Sequence, residues 1–167
     1  MAEPLADLPK GKSVFLDANI FHFYLRGPGD PQKACMRLLE RIERKEVDGY
    51  TSTLVLDELI YKILLKKIEE KPKKNPLTVL WKTPGEIGVA SPEIRKAVDI
   101  VLGIEGLMVL PVERHHVEEA IEFMRRYSLL PRDAIHLSVM RATDLRDLAS
   151  ADGDLDRVND LQRWSPL

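Results

Sequence analysis

Ser13-Val14-Phe15-Leu16-Asp17 is a short apolar, β-prone run that ends abruptly on a carboxylate, the pattern of a strand buried on both faces of a parallel sheet. Leu148-Ala149-Ser150 repeats it near the other end of the chain and stops at Asp152. Between them, Gly49-Tyr50-Thr51-Ser52 and Leu107-Met108-Val109-Leu110-Pro111 are further strand candidates, each followed by residues with helical spacing. Ala34, Cys35, Leu38, Leu39 and Ile42 recur at three and four within Gln32 to Lys45, an amphipathic helix. A second helix, capped by Ser52 or Thr53, carries Leu56, Leu59, Ile60, Ile63 and Leu64 on its buried side. A third runs from His116 to Tyr127 with Val117, Ala120, Ile121 and Met124 inward, and Leu130-Pro131-Arg132-Asp133 opens a fourth through Arg141. Lys71 to Pro92, with four prolines, reads as a mostly irregular excursion, after which Ser91-Pro92-Glu93 starts another helix. Alternating strand and helix predicts an α/β fold, a three-layer α/β/α sandwich with a mostly parallel central sheet.

A length of 167 residues suits one domain, read as 13–167 behind an N-terminal extension, 1–12. Hydrophobic residues at 44% and charged ones at 31% supply a sizeable core and exclude a disordered tail protein. The single cysteine, Cys35, excludes a disulfide framework and a Cys-rich zinc site and fits a reducing compartment. No apolar run approaches the roughly 18 residues of a membrane span, and Met1 to Lys12 lacks an apolar leader, so a cytoplasmic protein with no membrane partner is expected. A balance of 25 basic against 27 acidic residues gives a net charge of −2, which at face value argues against a nucleic-acid partner.

Four carboxylates fall where a parallel α/β sheet gathers its ligands, outside the carboxyl ends of strands or at the starts of the next helices. Asp17 follows the first strand and Asp152 the last. Asp133 lies at a predicted helix N-terminus, where backbone amides favour negative charge. Glu58 stands about 9 Å along its helix from Ser52, and helical side chains lean back towards the N-terminus, so a long Glu reaches the strand ends. Singly, Asp133 also reads as a helix cap and Asp152, before Gly153, as a turn residue. Glu58 has apolar neighbours at helical spacing, and lone buried charges are rare. Such a cluster repels itself unless a cation neutralises it, and oxygen donors suit Mg²⁺ or Mn²⁺ rather than zinc. His136, between Ile135 and Leu137, reads as a packed, hydrogen-bonded core residue rather than a ligand.

Val14-Phe15-Leu16-Asp17-Ala18-Asn19, Ser52-Thr53-Leu54-Val55-Leu56-Asp57-Glu58-Leu59, Leu130-Pro131-Arg132-Asp133-Ala134-Ile135-His136-Leu137 and Ser150-Ala151-Asp152-Gly153-Asp154-Leu155-Asp156 span nearly the whole chain in order. Together they resemble the motifs of the PIN-domain ribonucleases, and among these the VapC-like toxins of toxin–antitoxin pairs. The resemblance implies that 13–167 is a PIN-like nuclease domain whose Asp17, Glu58, Asp133 and Asp152 bind divalent metal for hydrolysis of RNA phosphodiester bonds. It also implies a homodimer and a small antitoxin that covers the site. The chain departs from the family at Leu155, where a Phe is usual, in its longer lead before Ser13 and in an expanded stretch after Lys71. Asp156 is a further acidic candidate, with capping of a terminal helix as its other reading.

One or two Mg²⁺ or Mn²⁺ ions held by the four carboxylates would orient a scissile phosphate, neutralise developing charge and acidify water, with Asp17 or Asp133 placed to orient or deprotonate it. Asn19 and Ser52 are candidates for fixing ligand geometry, and both also read as helix caps. Six lysines lie between Lys62 and Lys74. Lys62 and Lys66 share a helix face, which reads either as a solvated surface or, with Arg132, as a phosphate-contacting rim for RNA. A haloacid-dehalogenase-like phosphatase would need a second Asp two residues after Asp17, where this chain has Asn19. Two alternatives keep the fold: an RNA-processing nuclease with no antitoxin, and a non-catalytic RNA-binding module, which the four filled acidic positions disfavour. Subtracting those four from the 27 acidic residues leaves 23 against 25 basic ones, so the excess acidity is concentrated where a cation belongs.

Overall fold

The computed structural model describes residues 2–69 and 75–167. Six strands form one sheet: β1 (Glu3–Pro4), β2 (Ser13–Leu16), β3 (Asp48–Ser52), β4 (Leu107–Leu110), β5 (Asp147–Ala149) and β6 (Gln162–Ser165). Their order is β1-β6-β5-β2-β3-β4, and every pairing is parallel. The helices are α1 (Ala18–Arg26), α2 (Gly29–Glu43), α3 (Thr53–Glu69), α4 (Pro76–Lys82), α5 (Gly85–Leu102), α6 (Arg114–Tyr127) and α7 (Pro131–Ala142). The chain steps across the sheet in one direction from β2 to β3 to β4, then returns past them to β5. Right-handed crossovers therefore put α1 to α5 on one face and α6 and α7 on the other, and α1 packs on α2 and α3, α3 on α5, and α6 on α7. The result is the three-layer α/β/α sandwich with a parallel centre. No helix among the described residues is long and apolar enough to cross a membrane.

Val14, Phe15 and Leu16 are fully buried, as an apolar strand covered on both faces must be. Strand order reverses between β2 and β5, which lie side by side. A crevice opens at the carboxyl ends of two such strands, because their following segments leave towards opposite faces. The residues that position the site are thus Asp17 after β2 and Ser150 to Asp152 after β5.

Four expectations need correction. Residues 76–102 are largely helical. Asn75 caps α4 by accepting from Leu77 and Thr78 N–H at 3.0 and 3.4 Å, and Pro76 fills the first turn, where its missing N–H costs nothing. Ser91-Pro92 lies inside α5 instead of starting a helix; Pro92 is on the exposed face, and Ser91 Oγ donates to the Ile87 carbonyl at 2.9 Å. No helix closes the described chain: a 3-10 turn, Asp154–Arg157, leads into β6, where Trp164 Nε1–H donates to Asp147 at 2.8 Å. On α6, Val117 and Ile121 are 48% and 64% exposed, because the buried stripe runs through His116 and Ala120; on α3, Val55 is buried and Ile60 is exposed.

The residues ahead of Ser13 add β1 to the sheet edge beside β6 and place Leu5 and Leu8 in the core. Arg41 donates to the Leu8 carbonyl at 2.7 Å, tying this lead to α2. Lys71, Lys73 and Lys74 lie outside the described residues.

Candidate active site

Asp17 leaves β2 and caps α1, its Oδ1 accepting from Ala18 N–H at 2.5 Å. Its Oδ2 accepts from Asn19 Nδ2 at 2.5 Å and from Ser150 Oγ at 2.7 Å. Ser150 Oγ accepts in turn from Asn19 Nδ2 at 2.9 Å and from Asp152 N–H at 3.0 Å, while Asn19 Oδ1 accepts from Ala151 N–H at 3.0 Å. Asn19 and Ser150 therefore tie the ends of β2 and β5 together around one carboxylate. Asn19, a candidate for fixing ligand geometry, is thus hydrogen-bonded to Asp17, Ser150 and Ala151. Ser150 was legible only as the residue opening Ser150-Ala151-Asp152. Ser52 is a helix cap: Val55 N–H donates to its Oγ at 3.3 Å.

Glu58 reaches the same crevice from α3. His136 Nε2 lies 3.2 Å from Glu58 Oε1, and since an ionised carboxylate only accepts, Nε2 carries the proton. Burial works to raise the Glu58 pKa, but the His136 hydrogen bond and charge, with Lys62 and Arg132, lower it overall. Arg132 approaches Glu58 at 3.8 Å and Asp57 at 3.7 Å. His136 is buried, as expected of a core residue, with its ring 5.8 Å from that of Phe15. It also belongs to the site, which the apolar neighbours in sequence concealed. Its Nδ1 is buried without a hydrogen-bond partner.

A narrow cleft of about 20 Å³ is lined by Asp17, Asp133, His136, Ser150, Asp152 and Asp154, among others. It shares Asp133, Asp152 and Asp154 with a wider hollow of about 450 Å³ that Glu58 and Arg132 also line. Burial pushes the Asp133 carboxyl up to about 6; His136 opposes this, and Asp154, Asp152 and Asp17 add to it. Asp156 is drawn away: Arg163 donates to both its oxygens at 2.7 Å, and those hydrogen bonds hold its pKa low. Asp154, two residues earlier, is the acid that lines the cleft. Asp17, Glu58 and His136 each offer one ligand atom, all within 4.8 Å of one another. That donor set, beside crowded carboxylates whose mutual repulsion a cation relieves, fits a divalent metal.

The family model described as PIN domain matches residues 14–161. Ribonuclease VapC13 of Mycobacterium tuberculosis is 30% identical over 152 residues, covering 90% of this chain and 98% of that protein. Ribonuclease VapC2 of Methanocaldococcus jannaschii is 26% identical over 155 residues, covering 89% and 91%. Among solved structures, VapBC2 from Rickettsia felis bound to a DNA fragment from its promoter superposes with a TM-score of 0.58 at 16% identity, covering 92% of this chain and 98% of the other. VapC20 of Mycobacterium tuberculosis, described as a sarcin-ricin loop cleaving toxin, gives 0.55 at 20% identity, covering 86% and 92%. At these identities the structures speak to the fold.

Proposed function

This chain belongs to the PIN-domain family, and from that premise we propose that it is a divalent-metal-dependent endoribonuclease, the toxin of a type II toxin–antitoxin pair, with 13–167 as its nuclease domain. The observation that carries the reading is the convergence of Asp17, Glu58, Asp133 and Asp152 on one crevice. The ribonuclease names of VapC2 and VapC13 support RNA as the substrate. A solved toxin–antitoxin complex from Klebsiella pneumoniae, at 13% identity and a TM-score of 0.55, shares this fold and motivates a search for a protein antitoxin. A homodimer and a cytoplasmic setting, where Cys35 stays reduced, complete the reading.

Asp17 and Glu58, with Asp133 and Asp152 alongside, would hold Mg²⁺ or Mn²⁺. When bound, such a cation supplies neutralisation of the scissile phosphate and acidification of water. Ser150 and Asn19 keep Asp17 in place, and His136 orients Glu58. Asp133, which lines the same cleft as Asp17 and Asp152, is placed to orient the attacking water or accept its proton. Arg132 and Lys62, on the Glu58 side, provide positive charge for the phosphate backbone.

Purified protein incubated with structured and unpaired RNAs should cleave in Mg²⁺ or Mn²⁺ and stop in EDTA, and Asp17→Asn and Asp133→Asn should each lower the rate at least a hundredfold. Cleavage indifferent to EDTA and to both substitutions would overturn the mechanism. Expression alone should arrest growth, and a small protein encoded beside it should relieve the arrest; absence of both effects would leave a processing nuclease.

A further inference from the structure

The last acidic motif carries three carboxylates, Asp152, Asp154 and Asp156, and the fold treats them differently. Asp152 and Asp154 line the cleft. Asp156 meets Arg163 of β6, whose Nε and Nη2 donate to its two oxygens at 2.7 Å each, while Nη1 donates to the Ser150 carbonyl at 3.2 Å. All three guanidinium nitrogens are thus engaged on one loop, and the Arg163 side chain is only 14% exposed. Ser150 N–H donates back to the Trp164 carbonyl at 3.0 Å, so β6 grips the loop where it leaves β5.

The turn between the two cleft acids rests against this pair. A Cβ on Gly153 would stand 3.4 Å from Asp156 Oδ2 and 3.5 Å from Arg163 Nη2. Asp156 N–H donates to the Gly153 carbonyl at 3.0 Å, and Asp154 N–H to Asp152 Oδ1 at 3.1 Å, so 152–156 folds as one unit. Hydrogen bonding to Asp156 raises the Arg163 pKa against burial, and the charges of Asp156 and Asp152 add to the rise, so the guanidinium also stands in the field of Asp152. A planar fork fixes direction as well as charge.

We propose that Asp156 and Arg163 form a positioning pair that sets where Asp152 and Asp154 stand against Asp17 and Asp133, with neither member touching the metal. The inference rests on the divalent-metal ribonuclease reading above. Crowded carboxylates push one another apart until a cation arrives, so a loop that bears two of them needs an anchor of its own. Ser150 Oγ fixes only the start of this loop, at Asp17 and Asn19; Arg163 also fixes its far end. Neutralised by the guanidinium, Asp156 adds little to the repulsion. A site assembled before the cation binds loses less affinity to ordering the loop. The other role open to Asp156 is that of a ligand, and the two roles respond differently to substitution. Removing Arg163 frees a ligand, whereas an anchor is lost with either partner.

Electron paramagnetic resonance of free Mn²⁺, titrated with the full-length protein, reads metal affinity without RNA. Asp156→Asn, Arg163→Gln and their combination complete a double-mutant cycle. Each single change should weaken Mn²⁺ binding about 10- to 100-fold, and the double variant should bind no more weakly than either. Arg163→Lys keeps the charge and loses the fork, so it should weaken binding as well, and it keeps the test decisive if Arg163→Gln fails to fold. Tighter or unchanged binding in the Arg163 variants beside weaker binding in Asp156→Asn would make Asp156 a ligand and overturn the inference, as would losses that multiply in the double variant. A lowered melting temperature with Mn²⁺ affinity unmoved would make the pair merely structural and overturn it too. Pair-dependent Mn²⁺ binding by a parent protein that cuts no RNA would support the pair and overturn the ribonuclease reading. Cleavage of RNA whose half-saturating Mn²⁺ concentration ignores these variants would overturn the pair alone, and a parent that binds no Mn²⁺ would overturn both.

Discussion

Asp133 holds its proton up to about pH 6 because burial and the carboxylates of Asp154, Asp152 and Asp17 outweigh His136. Its folded pKa is raised, so in the metal-free protein its contribution to stability is fully present below the ordinary value of 3.8 and is lost as pH rises through about 6. Metal binding has the opposite sign, since the ligating form is deprotonated. Millimolar Mn²⁺ should therefore raise the melting temperature clearly at about pH 7.5 and much less at about pH 5. In Asp133→Asn the metal-free melting temperature should lose its decline between about pH 4 and 6 relative to the parent, a difference that calorimetry across pH measures. Asp17, Asp133 and Asp152 were legible as acids at strand ends or a helix start, where topology fixes position, and Glu58 as a charge among apolar neighbours at helical spacing. Asp154 and His136 were not: Asp154 sits in a 3-10 turn that no periodicity marks, and His136 hides among apolar residues whose burial is real.

At the scale of elements, the joint between β2 and β5 depends on one hydroxyl. Ser150 Oγ serves Asp17, Asn19 and the Asp152 amide together, so Ser150→Ala should cost roughly 10- to 100-fold in metal affinity or cleavage while leaving the circular dichroism spectrum unchanged. β2, β5 and the start of α7 declared themselves through abrupt changes from apolar run to carboxylate or proline. α4 and α5 did not, because Pro76 occupies a first turn that tolerates it and Pro92 sits in a helix held by other contacts. If Pro92 is tolerated there and not required, Pro92→Ala should raise stability by about 1 to 2 kcal/mol in urea unfolding, the helix-interior gain reduced by the greater freedom of the unfolded chain. β6 did not declare itself because Gln162-Arg163-Trp164-Ser165 lacks the apolar run that marks β2 and β5.

Over the whole molecule, the sheet is finished by the two ends of the described chain: Glu3 lies opposite Trp164 and Pro4 opposite Ser165. Leu8, only 2% exposed, anchors the early end, and Leu8→Ala should cost about 2 to 5 kcal/mol by denaturant unfolding even though it is remote from the acids. This closure also orders events in time. A chain emerging from the ribosome presents Asp17 early, but the hydroxyl and amides that hold it belong to 150–152, and β1 has no strand beside it until 162–165 appear. The acidic centre thus assembles only after 150–152 and 162–165 have been made, and a chain stopped before them lacks the groups that hold Asp17 in place.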